Sequence, residues 1–378
     1  MADRIFLIAP NFSDEQVLRS PFASPAASAW TRGLVGALET FAQVDGSLWY
    51  SNMPAWPRGP VVQPETQLGS SSSRLKLVRF LNLPIVKRQT VSRALERAIQ
   101  IDARHDAIVF IYGQATLSVP AVRRLGRIVQ RVVVVVPDAP STKRGLELVR
   151  EIAEAATGGL VYLPASIGPH LVGKRSLAFH GTVHKVAEIA APDVRKQKRL
   201  VFVGGVDKVS GSDFLVRTLE NLAASDLNIV IAGRVNDRQS AISLERLGAQ
   251  VTGFLGVEEL DRICSDAYAF LNPRDPTFSP SNTNFPSKIL KYMSYSKPIL
   301  STDTAGMPRD LVSALGCSGV TTPHLLADRI VELLRKPQKE WMAAAVRVRD
   351  FAIREYSEQT SGRRIAEFIG AAALSRRG

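Results

Sequence analysis

Short apolar runs alternate with stretches whose apolar residues fall at helical spacing along most of the chain. RIFLIA, Arg4 to Ala9, predicts a buried strand, and Trp30, Leu34, Ala37 and Leu38 then mark one face of a helix between Ala26 and Phe41. Further strands are predicted at Gly46 to Tyr50, Ala107 to Tyr112, Val132 to Val136 and Leu160 to Leu163, with helices at Val122 to Val129 and Lys143 to Ala155. Five successive valines suit a central parallel strand covered on both faces. A polar connection, Gly181 to Lys198, with the charged run RKQKR at its end, precedes a second alternation. There the strands are Leu200 to Val203, Asn228 to Ala232, Val251 to Phe254 and Ala269 to Leu271. Helices at Phe214 to Ala223, up to Leu247, and at Glu258 to Ser265 separate them, and a helical tail covers Lys339 to Arg376. Repeated strand-helix units imply parallel sheets with right-handed crossovers, hence two doubly wound α/β domains in series.

Length agrees, because 378 residues exceed the usual size of one hydrophobic core. An apolar share of 45% with 22% charged residues excludes disorder over most of the chain. Two cysteines, Cys264 and Cys317, are too few for a disulfide framework, so a reducing compartment is expected. The first residues have too short an apolar run for a signal peptide, and no later run is long enough to span a bilayer. A cytoplasmic protein is expected, able to rest on the inner face of the cell membrane.

The formal charge of +13 changes that picture by predicting polyanionic partners. Nucleic acid is not among those expected, since the charge is dispersed and neither an RNA-binding aromatic motif nor a helix-turn-helix pattern occurs. Between Arg74 and Arg97 seven basic residues face one acid, Glu96, interleaved with apolar residues and interrupted by Pro84. Such a segment suits an anionic membrane interface, or equally an ordinary helix with a solvated basic face. The run GSSSS from Gly69 reads as a loop. His105, His170, His180 and His184 show no metal-ligand spacing and suit solvated or capping roles.

Candidate chemistry gathers between Leu271 and Gly306. A polar loop leads to a helix expected to open at Pro286, followed by a strand from Pro298 to Ser301 and a second polar loop. Lys288 then stands near a helix N-terminus, where free N–H groups already favour an anion and a phosphate is the natural guest. Lys291 and Tyr295 follow at spacings of three and four, which places all three on one face. Arg274, in the preceding loop, can pair with phosphate or an acidic sugar. Asp138 stands two residues beyond the valine strand, where an open parallel sheet places catalytic groups, though a turn or helix-cap role fits as well.

LNPR, FPSKILKYM, SKPILST and TAGMP together resemble the donor-binding segment of bacterial group 1, family-4-like glycosyltransferases of the GT-B architecture. FVGGVDKVSGSD, IAGR and FLGVEELDRICSDA resemble its flanking loops, and REYSEQTSGRRIAEFI its terminal crossing helix. The resemblance implies two Rossmann-like domains facing a cleft: an acceptor domain over residues 1–190, a donor domain over 191–355, and a helix over 356–378 returning to the first domain. It assigns Gly204, Gly205, Arg234, Arg274, Ser287, Lys288 and Lys291 to the nucleotide-sugar donor. Family members carry Arg and Lys where this chain has Gly205 and Ser210, and two glutamates where it has Thr283 and Lys291. Lys288 is expected to supply the lost positive charge. A shorter resemblance, to the glucuronosyltransferase of xanthan synthesis, makes Asp138 the general base of an inverting transfer. No Asp-x-Asp metal motif occurs, so a metal-independent reaction is expected, with no cofactor beyond the nucleotide sugar and UDP favoured over GDP. The acceptor expected is lipid-linked or a polysaccharide, in bacterial cell-surface glycan synthesis, the lipid part resting on the basic apolar segment and the net charge. The lost donor residues also fit a non-catalytic subunit that pairs with an active protein partner.

Overall fold

A computed structural model describes residues 4–9, 25–49, 55–63, 66–68, 75–102, 105–114, 116–191, 198–222 and 227–370. The serine-rich run after Gly69, Arg74, most of the RKQKR run and the last residues of the expected helical tail lie outside these. Two compact units are present, Met1–Leu163 with Ile167–Thr182 and Glu358–Gly378, and Pro164–Ser166 with Val183–Ser357.

In the first unit the elements run β1 (Arg4–Ala9), α1 (Pro25–Glu39), β2 (Gln43–Trp49), β3 (Val62–Gln63), β4 (Thr66–Leu68), β5 (Leu75–Leu77) and β6 (Phe80–Leu81). They continue with α2 (Lys87–Asp102), β7 (Ala107–Tyr112), α3 (Val119–Leu125), β8 (Arg131–Val136), α4 (Lys143–Ala155), β9 (Gly159–Tyr162) and β10 (Ser176–Ala178). The sheet order is β10-β9-β8-β7-β1-β2-β5-β4, parallel except for the edge pair β4 and β5, while β3 and β6 form a separate antiparallel ribbon. Val132 to Val136 are each 2% exposed or less, covered on both faces as a central strand requires. Val132, Val134 and Val136 join Ile8, Val109 and Ile111 in one core beneath α2, α3 and α4. In the basic segment after residue 74 two short strands come first, and α2 begins only at Lys87, beyond Pro84.

The second unit holds β11 (Arg199–Val203), α5 (Ser212–Glu220), β12 (Asn228–Ala232), α6 (Arg238–Arg246), β13 (Ala249–Gly253), α7 (Val257–Ser265) and β14 (Ala269–Asn272). Next come α8 (Ser279–Thr283), α9 (Lys288–Met293), β15 (Ile299–Ser301), α10 (Arg309–Leu315), α11 (Pro323–Arg335) and α12 (Gln338–Tyr356). Its sheet is wholly parallel, in the order β13-β12-β11-β14-β15. Chain direction across the sheet reverses between β11 and β14, which leaves a crevice at their carboxyl ends.

The helical tail is interrupted once. Ser357, with φ −63° and ψ 155°, leaves the helical region between α12 and α13 (Glu358–Ile369). There the Val183 N–H donates to the Tyr356 carbonyl at 2.8 Å. Helix α13 packs on α1 within the first unit, where a side chain at Gly362 would collide with the Ala37 carbonyl and Thr40.

Candidate functional site

Strand β11 buries Leu200, Val201 and Phe202, and at its end the chain turns through a glycine loop. That loop is laced to the one after β12. Val206 N–H donates to the Arg234 carbonyl at 2.8 Å, and Asn236 and Asp237 N–H groups donate to the Val206 carbonyl at 3.1 and 2.8 Å. A Cβ at Gly204 would meet the Lys288 ammonium, one at Gly205 the Asp207 carboxylate, and one at Gly233 the Gly204 carbonyl. Gly233 is thus demanded by close backbone approach, whereas side chains at Gly204 and Gly205 would displace the ends of Lys288 and Asp207. Asp207 folds the loop: its carboxylate accepts from Ser210 N–H at 2.8 Å and from the Asn236 amide at 2.9 Å.

The opposite wall begins where β14 ends. The Arg274 carbonyl accepts from the Thr302 hydroxyl at 2.6 Å, and its largely buried guanidinium donates to the Asn284 carbonyl at 3.3 Å. Helix α9 starts at Lys288 rather than at Pro286. Ile289 and Leu290 N–H groups donate to Pro286 and Ser287 carbonyls at 3.0 and 3.1 Å, so the entry is a tight i to i+3 turn. Ser287 takes the N-cap place but makes no side-chain cap bond. What holds this short helix is Tyr292, whose hydroxyl accepts from Val203 N–H at 2.9 Å and bonds the Val203 carbonyl at 3.1 Å. Its ring stacks on Phe270 with centroids 4.5 Å apart and 6° between planes. Burial pushes the Tyr292 phenol well above its ordinary range, so it stays neutral.

Pinned in this way, α9 presents Lys288 to the glycine loop. Its ammonium donates to Ser210 Oγ at 3.0 Å and lies 5.2 Å from the centre of the Phe202 ring. Burial pushes the ammonium down to about 8, the charge of Arg274 pushes the same way, and Asp207 opposes both. No carboxylate forms an ion pair with Lys288 among the described residues. Two cations at one partly buried place repel each other, and an anion between them relieves that cost.

Gly204, Gly205, Arg274, Ser287 and Lys288 therefore come together at the carboxyl ends of β11 and β14. Arg234 sits on the neighbouring loop with its guanidinium 5.1 Å from the centre of the Phe254 ring. Lys208 similarly lies over Phe278 at 4.9 Å. The shared face expected for Lys288, Lys291 and Tyr295 divides. Tyr295 donates to Asp261 of α7 at 2.6 Å, and the exposed Lys291 acts on the buried Cys264 thiol, which burial pushes up to about 11 against the pull of Lys291. A six-residue helix spans under two turns, and its last side chains lean on α7 rather than on the glycine loop. Asp138 belongs to the first unit, beyond the end of β8; its side chain is exposed and its carbonyl accepts from the Gln114 amide at 3.5 Å.

Sequence reasoning missed Asp207 and Tyr292. For Asp207 the signal was present, an aspartate in a glycine-rich loop, where its short side chain can accept from nearby backbone N–H groups. Tyr292 offers no local signal, because its partner is a strand end 89 residues away.

Residues 197–336 match the family model described as "Glycosyl transferases group 1". No curated protein sequence matches the chain. Among solved structures, one from E. coli, described as trehalose-6-phosphate bound with UDP-2-fluoro glucose, aligns with TM-score 0.69 and 11% identity over 98% of this chain and 99% of that one. The α,α-trehalose-phosphate synthase (UDP-forming) of Burkholderia xenovorans in complex with glucose-6-phosphate gives TM-score 0.65 and 13% identity over 97% and 100%. Anabaena Alr3699/HepE in complex with UDP and glucose gives 0.66 and 11% over 97% and 99%. At these identities the likeness is one of fold, the GT-B architecture.

Proposed function

We infer that this chain, a glycosyltransferase with a group 1 domain in its second unit, seats the diphosphate of a nucleotide sugar between the Gly204–Gly205 loop and Lys288. The observation that carries this reading is the Lys288 ammonium, driven by α9 into the crevice at the ends of β11 and β14 beside Arg274, with Ser210 as its hydrogen-bond partner. Ser210 occupies the place at which related enzymes carry a lysine, so Lys288 delivers from the opposite wall the charge that the glycine loop lacks. UDP is the favoured nucleotide, since solved proteins of this fold are described with UDP-2-fluoro glucose and with UDP.

In the proposed reaction the bond from the anomeric carbon to the diphosphate breaks, and its electron pair passes to the phosphate oxygen. Lys288 stabilises that developing charge. Asp138, exposed beyond the end of β8, accepts the proton of the acceptor hydroxyl as its oxygen attacks, which inverts the anomeric centre. Lys291 and Arg234 are assigned to the outer parts of the donor. The acceptor is a lipid-linked or polysaccharide glycan at the cytoplasmic membrane face, as in bacterial cell-surface glycan synthesis. Exposed Arg79, Arg93 and Arg97 and the 92% exposed Ile85 support that assignment.

Thermal unfolding with UDP, GDP and dTDP, together with transfer from a panel of their sugars, tests the donor assignment. Stabilisation by UDP above the others is expected. Absence of any nucleotide-induced shift overturns it, and a product with retained anomeric configuration removes Asp138 from the role of base.

A further inference from the structure

Outside the nucleotide crevice, the first unit contains a cavity of about 640 Å³ between the β3–β6 ribbon and one face of α2. Thr90, Arg93, Ala94, Arg97 and Ala98 recur at helical spacing on its α2 wall, and Arg79 comes from the turn between β5 and β6. The small side chains of Ala94 and Ala98 leave the space open, and the arginines stand around it. No carboxylate lines the cavity among the described residues. Glu96, the acid nearest in sequence to Arg93 and Arg97, is engaged elsewhere by Arg124 through two bonds of 2.6 and 2.9 Å.

The ribbon wall of the same cavity is apolar: Val62, Phe80 and Leu81 line it, and Leu81 is 42% exposed. Val61 and Trp56, nearby through the backbone, are 44% and 50% exposed. Hydrogen bonds from Trp56 N–H to the Asn82 carbonyl at 2.9 Å and from Asn82 N–H to the Val61 carbonyl at 2.7 Å hold these residues at one edge of the ribbon. Isolated exposed apolar residues need no explanation, but a fixed cluster beside a hole lined by guanidinium groups does. Guanidinium forks match phosphate oxygens with two parallel bonds, and an apolar rim suits the chain to which such a phosphate is attached.

We propose that this cavity binds the phosphate head of an anionic amphiphile, with Arg79, Arg93 and Arg97 holding the phosphate and the apolar wall of Val62, Phe80 and Leu81 covering the first part of its apolar chain. It deepens the lipid-linked acceptor reading given above and rests on it. The pocket, not a diffuse basic face, then selects the acceptor's anchor.

Titration of the full chain with dodecyl phosphate, inorganic phosphate and dodecyl maltoside tests this, with UDP titrated in parallel. Dodecyl phosphate is expected to bind at least ~10-fold more tightly than either of the others, since each supplies only half of the recognised chemistry. Arg93→Gln with Arg97→Gln should weaken dodecyl phosphate by roughly 100-fold or more, two charge-assisted contacts being lost. Ala94→Leu, which fills the cavity without removing charge, should weaken it as well. Equal binding of inorganic phosphate marks a free-phosphate site and overturns the proposal, as does unchanged affinity in the double variant. Retained UDP binding without dodecyl phosphate binding defeats the cavity alone, whereas the converse defeats the donor site and leaves the cavity standing.

Discussion

Lys288 combines three features that rarely coincide in a surface lysine: a buried ammonium, a neighbouring arginine that repels it, and a hydroxyl as its hydrogen-bond partner. Replacing it by alanine should weaken UDP binding or lower turnover by roughly 10- to 100-fold, the value of one charge-assisted phosphate bond. Calorimetric titration checks this, and an unchanged affinity removes Lys288 from the site. Its titration makes a second prediction. With a folded value of about 8 against 10.5 in the unfolded chain, Lys288 is protonated at a cost below pH 8. Between 8 and 10.5 the unfolded chain binds a proton that the folded chain has released, so this group makes the fold relatively more stable as pH rises through that window. Donor binding has the opposite sign, because the diphosphate needs the charged form. UDP affinity should be flat below pH 8 and fall above it by up to roughly tenfold per unit, with proton uptake on binding. Lys288→Arg, charged throughout, should flatten the profile.

At the scale of elements, the site depends on α9 being fastened to the end of β11. Six residues form too short a helix to persist alone, so its position comes from Tyr292 and its stack on Phe270. Tyr292→Phe keeps the stack but leaves both polar groups of Val203 without the hydroxyl. A loss of about 1–3 kcal/mol in chemical denaturation is expected, together with weakened UDP affinity as Lys288 shifts. Gly211 offers a separate test, since its φ of 92° is left-handed and its α-carbon faces the Pro273 carbonyl. Gly211→Ala should cost about 1–3 kcal/mol by combining strain with that collision. Stability unchanged in both variants would mean that the glycine loop and α9 are held by other contacts.

For the whole molecule, the return of α13 to the first unit requires Gly362 against α1. Gly362→Val should lower the stability of that unit by about 1–3 kcal/mol through overpacking, while UDP binding by the second unit persists. Differential scanning calorimetry with and without UDP separates the two effects. Much of this architecture was legible in the chain, because buried strands such as Val132–Val136 and the β11–β14 run announce themselves by local apolar periodicity. The glycine-loop site was legible in outline for a similar reason: glycines, Arg274 and Lys288 mark tight turns and anion-binding chemistry by residue type. Contacts remote in sequence were not legible in local pattern. Periodicity alone placed no break at Ser357, since nothing in the helical stripe records that α13 packs against α1. Residue spacing put Lys291 and Tyr295 on the face of Lys288, and only packing against α7 drew them away. Local pattern thus specified the elements and the chemical types at the site, because backbone sterics and side-chain periodicity act over a few residues. Which of those side chains converge was settled by tertiary contacts, because a hydroxyl of α9 bonding the end of β11, or a carboxylate folding a loop under an ammonium, has its energy only once distant segments have met.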